Sequence, residues 1–410
     1  MKALVIGSGA REHALAWKFS TSKRISGLYS LPGNAGTAEL GENITNVDLD
    51  DTDAVIDACR ERKINHVFIG PEAPLAAGLA DCIAEAGINV VSPLQAAAAL
   101  ESSKVFSKQF MNRHNIPTAA AEQFDSYEQF SSHIRKGNGM RVVKKNGLAS
   151  GKGVLESADE TALLDFGKTI TRDDSILVEE YLEGYEISVF ALFDGKHYIL
   201  FPHCADFKKA DENDSGPNTG GMGAICPVPG LGRDLLANVE EQIVAPTFAG
   251  ITSENLPYRG FLYFGLMITE DGPKLLEYNV RLGDPEAQVL LPLIDSDFGN
   301  LMDAVVEQSL DKFPLQIADK SAVGVVVASE GYPGTYRKGI PVEALPENQN
   351  KRKYLFHAST SLDESGAVTT GGGRCFTAVG LHKEILEAQR LSYTLAEQIR
   401  FEGAWYRKDI

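Results

Sequence analysis

The sequence predicts an α/β protein of several units, the first of which is built on a parallel sheet. In the first 100 residues, short apolar runs typical of strands (3–6 and 66–69) alternate with helical segments (11–19 and 76–85). Strands that alternate with helices in this way form parallel sheets. Since 410 residues are too many for one ordinary core, we expect two to four units.

Composition limits the partners that the protein can have. The sequence contains 39 Lys and Arg against 56 Asp and Glu, and this net charge of −17 argues against nonspecific binding to nucleic acid or to an anionic membrane. Five scattered cysteines without a Cys-x-x-Cys pair are typical of a reducing compartment and give no zinc or disulfide signal. With no signal peptide and no apolar run of about 20 residues, we expect a cytoplasmic protein.

Small and polar residues follow the expected strands of the first unit, in loops at 7–10, 32–36 and 70–74. Open α/β sheets bind ligands at the carboxyl ends of their strands, so these loops are candidate binding loops. The first loop begins like a dinucleotide fingerprint, but Glu12 stands at the third glycine position. The sequence therefore disfavours NAD binding and a dehydrogenase.

The rest of the chain falls into three further units. A helix opens at 101–104 and ends before 116. A compact α/β unit follows, and beyond it strand-rich segments at 187–201 and 261–281 flank a helical region. A final unit begins near 322 and ends in a helix from about 383 to 400. We therefore divide the chain at these boundaries: 1–101, 102–118 with 188–320, 119–187, and 321–410.

A glycine-rich loop after a β-branched strand predicts a phosphate site. Residues 144–154 have the sequence Lys-Lys-Asn-Gly-Leu-Ala-Ser-Gly-Lys-Gly-Val. Glycines let backbone N–H groups turn toward phosphate oxygens, and the lysines supply positive charge. Only three residues separate Gly147 from Gly151, so this is not a Walker A loop, and a hairpin over a triphosphate fits better. An ordinary flexible hairpin is the alternative, but Lys144 in the strand upstream favours the phosphate site.

Two more segments have the composition of ligand-binding loops. Residues 179–186 form an acidic link after an apolar strand, which can present backbone groups to adenine and a carboxylate to ribose; a solvated acidic face is the alternative. Residues 216–223 contain four glycines, which let the chain approach a ligand closely. A disordered surface loop is the alternative there, but the Gly-Gly-Met-Gly-Ala run at 220–224 is too apolar for a linker.

The strand expected at 275–281 carries the most informative pattern. Side chains alternate between the two faces of a strand, so Glu277, Asn279 and Arg281 share one face and Leu276 lies on the other. Carboxylate and amide oxygens suit Mg²⁺, and a guanidinium suits phosphate or carboxylate. The pattern predicts a site where Mg²⁺, a nucleotide and an anionic substrate meet.

Together these motifs resemble those of the glycinamide ribonucleotide synthetases (phosphoribosylamine–glycine ligases), a family of ATP-grasp enzymes. The similarity extends in order over essentially the whole chain, and the runs at 218–223 and 279–286 are specific to this family. The resemblance implies an α/β ATP-grasp fold with four parts: an N-terminal parallel-sheet domain (1–101), a central ATP-grasp domain (102–118 and 188–320), a small mobile ATP lid (119–187) and a C-terminal α+β domain (321–410).

The resemblance also implies a reaction in which ATP, glycine and 5-phosphoribosylamine give ADP, phosphate and glycinamide ribonucleotide in purine synthesis. The carboxylate of glycine would become a glycyl phosphate, from which the ribosyl amine displaces phosphate. Such catalysis depends on positioning and charge neutralisation, which Mg²⁺, or alternatively Mn²⁺, and cationic side chains provide. We expect these small-molecule partners, no nucleic-acid or membrane partner, and a monomer.

Carried over position by position, the resemblance assigns a role to each matching residue. Arg281, Asp206 and Lys208 would be catalytic, and Glu277 and Asn279 would bind the metal ion. The nucleotide would contact Lys104, Lys144, Gly147, Ser150, Gly151, Lys152, Gly153, Glu179, Glu180, Leu182 and Glu186, with the first two at the phosphates and the last at the ribose. The substrates would contact Gly9, Arg11, Glu12, Gly33, Asn34, Pro71, Glu72, Asn218, Thr219, Gly220, Gly221, Met222, Gly223 and Asp284.

The sequence departs from the family pattern at two places. Ala10 replaces a glycine, and residues 206–209 are Asp-Phe-Lys-Lys where the family has Asp-His-Lys-Arg, which leaves the roles of Phe207 and Lys209 open. The nearest alternative is another ATP-grasp carboxylate–amine ligase or a biotin-dependent carboxylase subunit, and the N-terminal loops and 218–223 argue against it. A catalytically silent nucleotide-binding module would have lost the metal-binding face, which is intact.

Overall fold

A computed structural model of the protein describes residues 1–149, 153–170, 174–346 and 351–410. The first unit is a five-stranded parallel sheet, so the predicted fold of this unit is confirmed. In spatial order its strands are Glu42–Asn43, Gly27–Pro32, Lys2–Gly7, His66–Ile69 and Asn89–Val90. Its helices are Ala10–Ser20, Thr52–Arg62, Glu72–Ala76, Leu79–Glu85 and Gln95–Ser102. Helices cover both faces of the central strand, which is why residues 3–6 are all buried.

The helix predicted at 76–85 is confirmed only from Leu79 to Glu85, because a separate short helix ends at Ala76. Gly78 separates Glu72–Ala76 from Leu79–Glu85 and has a φ of +88°. A residue in the left-handed region interrupts an α-helix, and glycine adopts that region without steric cost. Glu72 therefore lies in the first turn of its own helix, directly after the strand His66–Ile69 and at the carboxyl edge of the sheet.

The predicted lid contains a small antiparallel sheet with its own core. The helix Lys104–Arg113 leads into it. In spatial order the strands are Ala121–Phe124, Ile176–Glu180, Arg141–Lys145 and Val154–Ser157, and the helices are Tyr127–Lys136 and Glu160–Ile170. Phe124, Phe130 and Val143 belong to a hydrophobic cluster drawn only from this unit. The strand Tyr185–Phe193 pairs into the next sheet, so residues 185–187 lie outside this small sheet.

A four-stranded antiparallel sheet forms the centre of the protein. Its strands in spatial order are Tyr198–Leu200, Tyr185–Phe193, Gly260–Thr269 and Gly272–Asn279, and its helical segments are Arg233–Val239, Glu240–Val244 (a π-helix), Ala245–Ser253, Glu286–Leu290 and Phe298–Val306. The pairing register shifts between Gly265 and Leu266, which face Glu277 and Leu275. Because of this bulge Leu275, rather than Leu276, is fully buried, so the predicted alternation is wrong at this point.

The last sheet takes strands from two distant parts of the chain. In order they are Ala205–Asp206, Gly223–Cys226, Ser321–Ser329, Arg374–His382 and Lys353–His357, and Ala404–Trp405 also pairs with the third. The helix Ile385–Ala396 packs against this sheet. The remaining strands form three two-stranded ribbons: Lys209–Asp211 with Ser215–Asn218, Val342–Ala344 with Arg400–Phe401, and Thr360–Leu362 with Val368–Thr370. Short 3-10 helices lie at Thr37–Glu39, Leu291–Leu293 and Leu310–Lys312. Across the described ranges, the helices are too short or too polar to span a membrane.

Candidate active site

A buried carboxylate lies between two buried lysines where the lid meets the central sheet. Glu179 Oε2 lies 2.8 Å from Lys144 Nζ, and Glu179 Oε1 lies 3.2 Å from Lys108 Nζ. All three side chains are less than a tenth exposed. Charges buried in this way are tolerated only when they are paired. The carboxylate of Glu179 is thus engaged by both lysines, and the predicted nucleotide contacts of Lys144 and Glu179 stay predictions.

Glu277 lies next to this lysine cluster. Burial alone would raise the pKa of Glu277, but Lys104, Lys144 and Lys208 together hold it below its usual value. The carboxylate is therefore ionised at neutral pH, as a metal ligand must be. Asn279, the last residue of the strand, offers an amide oxygen that accepts a 3.3 Å hydrogen bond from Arg281 Nη2.

The oxygen atoms of Glu277 and Asn279 can supply only part of the coordination shell of a hard cation. Within the described part of the chain, no group of three or more His, Cys, Asp or Glu side chains could hold a metal ion. Mg²⁺ usually keeps several waters and binds through one or two carboxylates together with substrate phosphates. Glu277 and Asn279 match that requirement, so the residues present fit a nucleotide-bound Mg²⁺.

Arg281 connects this strand to the N-terminal unit. Its Nε lies 3.0 Å from Glu72 Oε2, and its Nη2 lies 2.8 Å from Glu101 Oε1. Its Nη1 donates to the carbonyl of Leu282 at 3.1 Å, and the same carbonyl accepts a 3.2 Å bond from Arg11 Nη1. Two guanidinium groups from different units therefore meet at one backbone oxygen.

A second group of charges lies around Asp206 and Lys208. Lys208 Nζ is in direct contact with Glu186. Desolvation would lower the pKa of Lys208, but Asp206 and other neighbours raise it well above its usual value, so it stays protonated. Burial raises the pKa of Asp206, an effect that Lys208 opposes. The predicted ribose carboxylate, Glu186, is therefore paired with a residue predicted to be catalytic.

Glu286 is a buried carboxylate behind this group. Its Oε1 accepts a 3.0 Å hydrogen bond from Ser188 Oγ, which also lies 3.1 Å from Tyr263 OH. Burial, and after it the charge of Asp206, raises the pKa of Glu286 to about 7. Glu286 is therefore partly protonated near neutral pH.

Glu12 organises the first N-terminal loop. Its Oε2 accepts the N–H of Gly9 at 2.7 Å, and its Oε1 lies 2.6 Å from Arg11 Nε. A Cβ at Gly70 would collide with this carboxylate, so the loop after the strand His66–Ile69 passes directly against it. Glu12 therefore holds the first N-terminal loop against the loop that follows the strand His66–Ile69.

Asn34 joins the second N-terminal loop to the C-terminal unit. Its Oδ1 accepts the N–H groups of Gly36 and Thr37, and its Nδ2 donates to the carbonyls of Ser8 and His357, both at 2.9 Å. Gly33 precedes it with a φ of +73°. Because all hydrogen-bonding groups of this amide are used, Asn34 fixes the conformation of the loop. In the third loop, Pro71 immediately precedes the helix that begins with Glu72.

The loop at 218–223 is held against the C-terminal sheet. Thr219 bonds the carbonyl of Lys208 through both its N–H (2.7 Å) and its hydroxyl (2.8 Å). The N–H of Gly220 donates to Tyr332 OH at 2.9 Å, whereas Asn218 is exposed at the end of its strand. Gly221 has a φ of +101° and lies against Pro285.

Two residues of this loop serve packing in the structure. The side chain of Met222 is fully buried in the C-terminal core, and a Cβ at Gly223 would meet the carbonyl oxygen of Gly324 at 2.5 Å. Both residues lie where the chain enters the strand Gly223–Cys226. The predicted contact of the 218–223 loop with substrate stays a prediction at these two positions, where the Met222 side chain packs into the core.

The C-terminal unit supplies a cation to this region. Arg374 Nη1 is bonded to the carbonyls of Gly220, Gly221 and Asp284, and its Nη2 lies 3.4 Å from Asp284 Oδ2. Burial would raise the pKa of Asp284, but Arg374 and Arg11 lower it. Asp284 also accepts a 2.8 Å bond from Gln288.

The remaining predicted nucleotide contacts lie on the lid side. The N–H of Gly147 donates to Asp174 Oδ2 at 2.7 Å, and the carbonyl of Gly153 accepts from Lys145 N at 2.7 Å. Glu180 accepts the N–H of Ala120 at 2.9 Å, and Leu182 is buried. The predicted contacts at Ser150, Gly151 and Lys152 lie outside the described residues.

Three family models match the sequence, all of them described as phosphoribosylglycinamide synthetase. The N domain matches residues 1–101, the ATP-grasp (A) domain residues 102–287, and the C domain residues 322–410. The chain belongs to the phosphoribosylglycinamide synthetase family. The predicted ATP-grasp fold and the resemblance on which it rests are thereby confirmed.

Relatives of known name agree with this family. The chain is 40% identical to a phosphoribosylamine–glycine ligase of Caldanaerobacter subterraneus subsp. tengcongensis, over all of this chain and 99% of that protein. It is 42% identical to the trifunctional purine biosynthetic protein adenosine-3 of Gallus gallus, of whose length it spans only 42%. The similarity to this longer protein is therefore a similarity to one part of it.

Solved structures show the same fold. A phosphoribosylamine–glycine ligase from Thermotoga maritima matches with a TM-score of 0.86 and 34% identity, over 100% of both chains. A biotin carboxylase from Campylobacter jejuni matches with a TM-score of 0.76 but only 14% identity, over 99% of this chain and 93% of that one. The second similarity concerns the fold alone.

Sequence reasoning missed several charged residues of this phosphoribosylglycinamide synthetase site. Lys108 lies four residues after Lys104 and so on the same helix face, a spacing that the sequence does reveal. Glu101 and Arg374 reach the site from outside the motifs, and only the fold brings them there. Glu286 was visible at the end of the 279–286 run, but its burial beside Asp206 was not.

Proposed function

We propose that this protein uses ATP to join glycine to 5-phosphoribosylamine, forming glycinamide ribonucleotide, ADP and phosphate in purine biosynthesis. The observation that carries the proposal is the contact of Arg281 with Glu72 at 3.0 Å. This contact connects the segment that carries Glu277 and Asn279 to the part of the N-terminal unit that is predicted to hold the phosphoribosylamine. Membership of the phosphoribosylglycinamide synthetase family supports the same reaction.

The nucleotide would lie between the lid and the central sheet. Lys144 and Lys104 would contact its phosphates, and Glu179, Glu180 and Leu182 would frame the adenine. We propose Mg²⁺, with Mn²⁺ as an alternative, held by Glu277 and Asn279; when bound, the ion neutralises phosphate charge. Preorganised cations in a partly dry site stabilise the charge that develops during phosphoryl transfer.

Glycine would bind between Asp206, Lys208 and the 218–223 loop. Arg281 would hold the carboxylate of glycine in line with the transferred phosphoryl group and then steady the resulting glycyl phosphate. A carboxylate resists attack by an amine because its leaving group is poor. Phosphate leaves readily, so activation makes the amide bond accessible.

The phosphoribosylamine would lie at the carboxyl edge of the parallel sheet. Arg11 has donors that neither Glu12 nor Leu282 uses, and these suit a phosphate or a ribose oxygen. Glu72 would orient the amine toward the acyl group. Asp284 and Arg374 close the pocket from the C-terminal side.

The division into four units also remains our proposal. The separate core of the small sheet suggests that the predicted lid, 119–187, moves as a unit over the nucleotide. We further propose that the protein is a monomer and acts in the cytoplasm. Light scattering of the purified protein tests the first of these statements.

Release of ADP by the purified protein tests the proposed reaction. ADP should form at a substantial rate only when ATP, glycine and freshly generated phosphoribosylamine are present together. Alanine in place of glycine, and bicarbonate with biotin in place of both substrates, are the controls. Turnover with bicarbonate and biotin, or with alanine but not with glycine, would refute the proposal.

A further inference from the structure

Lys108 is a buried lysine that no step of the proposed mechanism uses. It lies on the helix Lys104–Arg113 and is only 5% exposed. Its Nζ lies 3.2 Å from Glu179 Oε1 and donates to Thr118 Oγ1 at 2.6 Å and to the carbonyl of Ala119 at 3.1 Å. Three partners match the three donors of an ammonium group, which explains how the charge is tolerated inside the protein.

These partners belong to different parts of the fold. Glu179 lies on a strand of the lid, whereas residues 118–119 form the chain that enters the lid. Thr118 in turn donates from its hydroxyl to the carbonyl of Leu275 at 2.6 Å, in the strand that carries Glu277. Lys108 is therefore fixed from both the lid and the central sheet.

Lys108 also changes the charge that the lid presents to a nucleotide. Glu179 gives one oxygen to Lys144 and the other to Lys108, so two ammonium groups share one carboxylate. The cluster carries a net charge of one positive unit. Without Lys108, Glu179 would be free to neutralise Lys144 completely, and the three-residue cluster would offer the phosphates no excess charge beyond that of Lys104.

We propose that Lys108 is a positioning residue for the nucleotide: it holds Glu179 in place and leaves Lys144 with excess positive charge toward the phosphates. This inference rests on the proposed function only in that the bound nucleotide is ATP or its product ADP. Lys108 would act through Glu179, because its own ammonium group is occupied by Glu179, Thr118 and Ala119.

The titration of Lys108 makes this role measurable. Burial lowers the pKa of Lys108 to about 8; Glu179 opposes this shift, Lys144 adds to it, and Glu180 is the remaining charged neighbour. As the pH rises through 8, the cluster falls from one net positive charge to none. The dissociation constant of MgADP should therefore rise above pH 8 in the wild-type protein.

Calorimetric titration with MgADP between pH 7 and 9.5 tests the inference without glycine or amine. For Lys108→Met we expect a dissociation constant raised about tenfold or more at pH 7, and no further rise above pH 8. Lys108→Arg keeps the charge at every pH, so it should bind MgADP nearly as the wild type does at pH 7 and stay flat to pH 9.5. Lys136→Met, at an exposed lysine of the same lid, should behave as the wild type.

The arginine variant keeps the test valid if the methionine variant does not fold. An unchanged rise above pH 8 in Lys108→Arg, or wild-type affinity at all pH values in Lys108→Met, would overturn the inference. If the wild-type protein bound no MgADP at all, the proposed function would fail instead, so the two failures are distinguishable.

Discussion

Glu101→Gln tests how Arg281, the arginine that we propose to be catalytic, is held in position. Glu101 is 7% exposed, and its two oxygens accept from Arg281 Nη2 at 2.8 Å and from the N–H of Val280 at 2.8 Å. Glutamine has nearly the same shape but only one acceptor oxygen. Because both partners are donors, one of them must then face the NH₂ group of the amide without an acceptor.

The size of the effect follows from the contact that is lost. A hydrogen bond to a charged group contributes about 1.5–3 kcal/mol, which corresponds to a fall in kcat/KM of roughly 10- to 150-fold if Arg281 is no longer aligned. Arg281 keeps its 3.0 Å contact with Glu72, so we do not expect the larger loss that an entirely unpaired buried charge produces. The free energy of unfolding should fall by a similar few kcal/mol at most.

A coupled assay of ADP release, with all three substrates present, measures the change in kcat/KM. Urea unfolding at the assay temperature shows whether the variant is folded. Glu85→Gln, at an exposed glutamate of the N-terminal unit, is the matched control and should behave as the wild type. Activity of Glu101→Gln within twofold of the wild type would refute the role of Glu101 in aligning Arg281.

Three further predictions concern the proposed metal ligand Glu277, the ion pair of Glu72, and the dependence of stability on pH. Glu277→Gln removes the only carboxylate among the two proposed metal ligands, so kcat should fall at least 100-fold (about 3 kcal/mol). The free energy of unfolding in urea should stay near that of the wild type. Near-normal turnover at saturating Mg²⁺ would contradict the metal site. Glu72→Gln removes the ion pair between Glu72 and Arg281, so ADP release with glycine alone should increase relative to complete turnover. An unchanged ratio would show that Glu72 does not couple the proposed phosphoribosylamine site to the phosphorylation of glycine. Burial lowers the pKa of His357 to about 4, so between pH 6.5 and 4 the unfolded chain binds more protons and the stability falls as the pH falls, by roughly 3 kcal/mol from this residue. His357→Gln should remove the part of the acid destabilisation that is due to His357. If the urea midpoint of this variant fell with pH as steeply as that of the wild type, the role of His357 would be contradicted.

Local patterns in the sequence predicted the elements that a single segment determines. The parallel sheet of the first unit follows from its alternating strands and helices, and its three loops lie at the carboxyl ends of strands as expected. The failures have local physical causes as well. Gly78 interrupts an alanine-rich run by adopting a positive φ, and a bulge at 275–277 exchanges Leu275 for Leu276 in the core.

Contacts between distant segments could not be predicted in this way. The strands Ala205–Asp206 and Gly223–Cys226 join the C-terminal sheet, which places the side chain of Met222 in the C-terminal core. Arg374 reaches Asp284 across 90 residues of sequence, and Glu101 reaches Arg281 across 180. Neither spacing has a periodicity that a sequence pattern reveals.

The fate of the carboxylate oxygens of glycine tests the central claim most directly. If Glu277, Asn279 and Arg281 organise the phosphorylation of glycine, one carboxylate oxygen leaves with the phosphate in every turnover. With glycine labelled by ¹⁸O in both carboxylate positions, mass spectrometry of the released phosphate should find one ¹⁸O atom per phosphate. Formation of glycinamide ribonucleotide with unlabelled phosphate, the second ¹⁸O having left glycine by another route, would contradict activation through a glycyl phosphate.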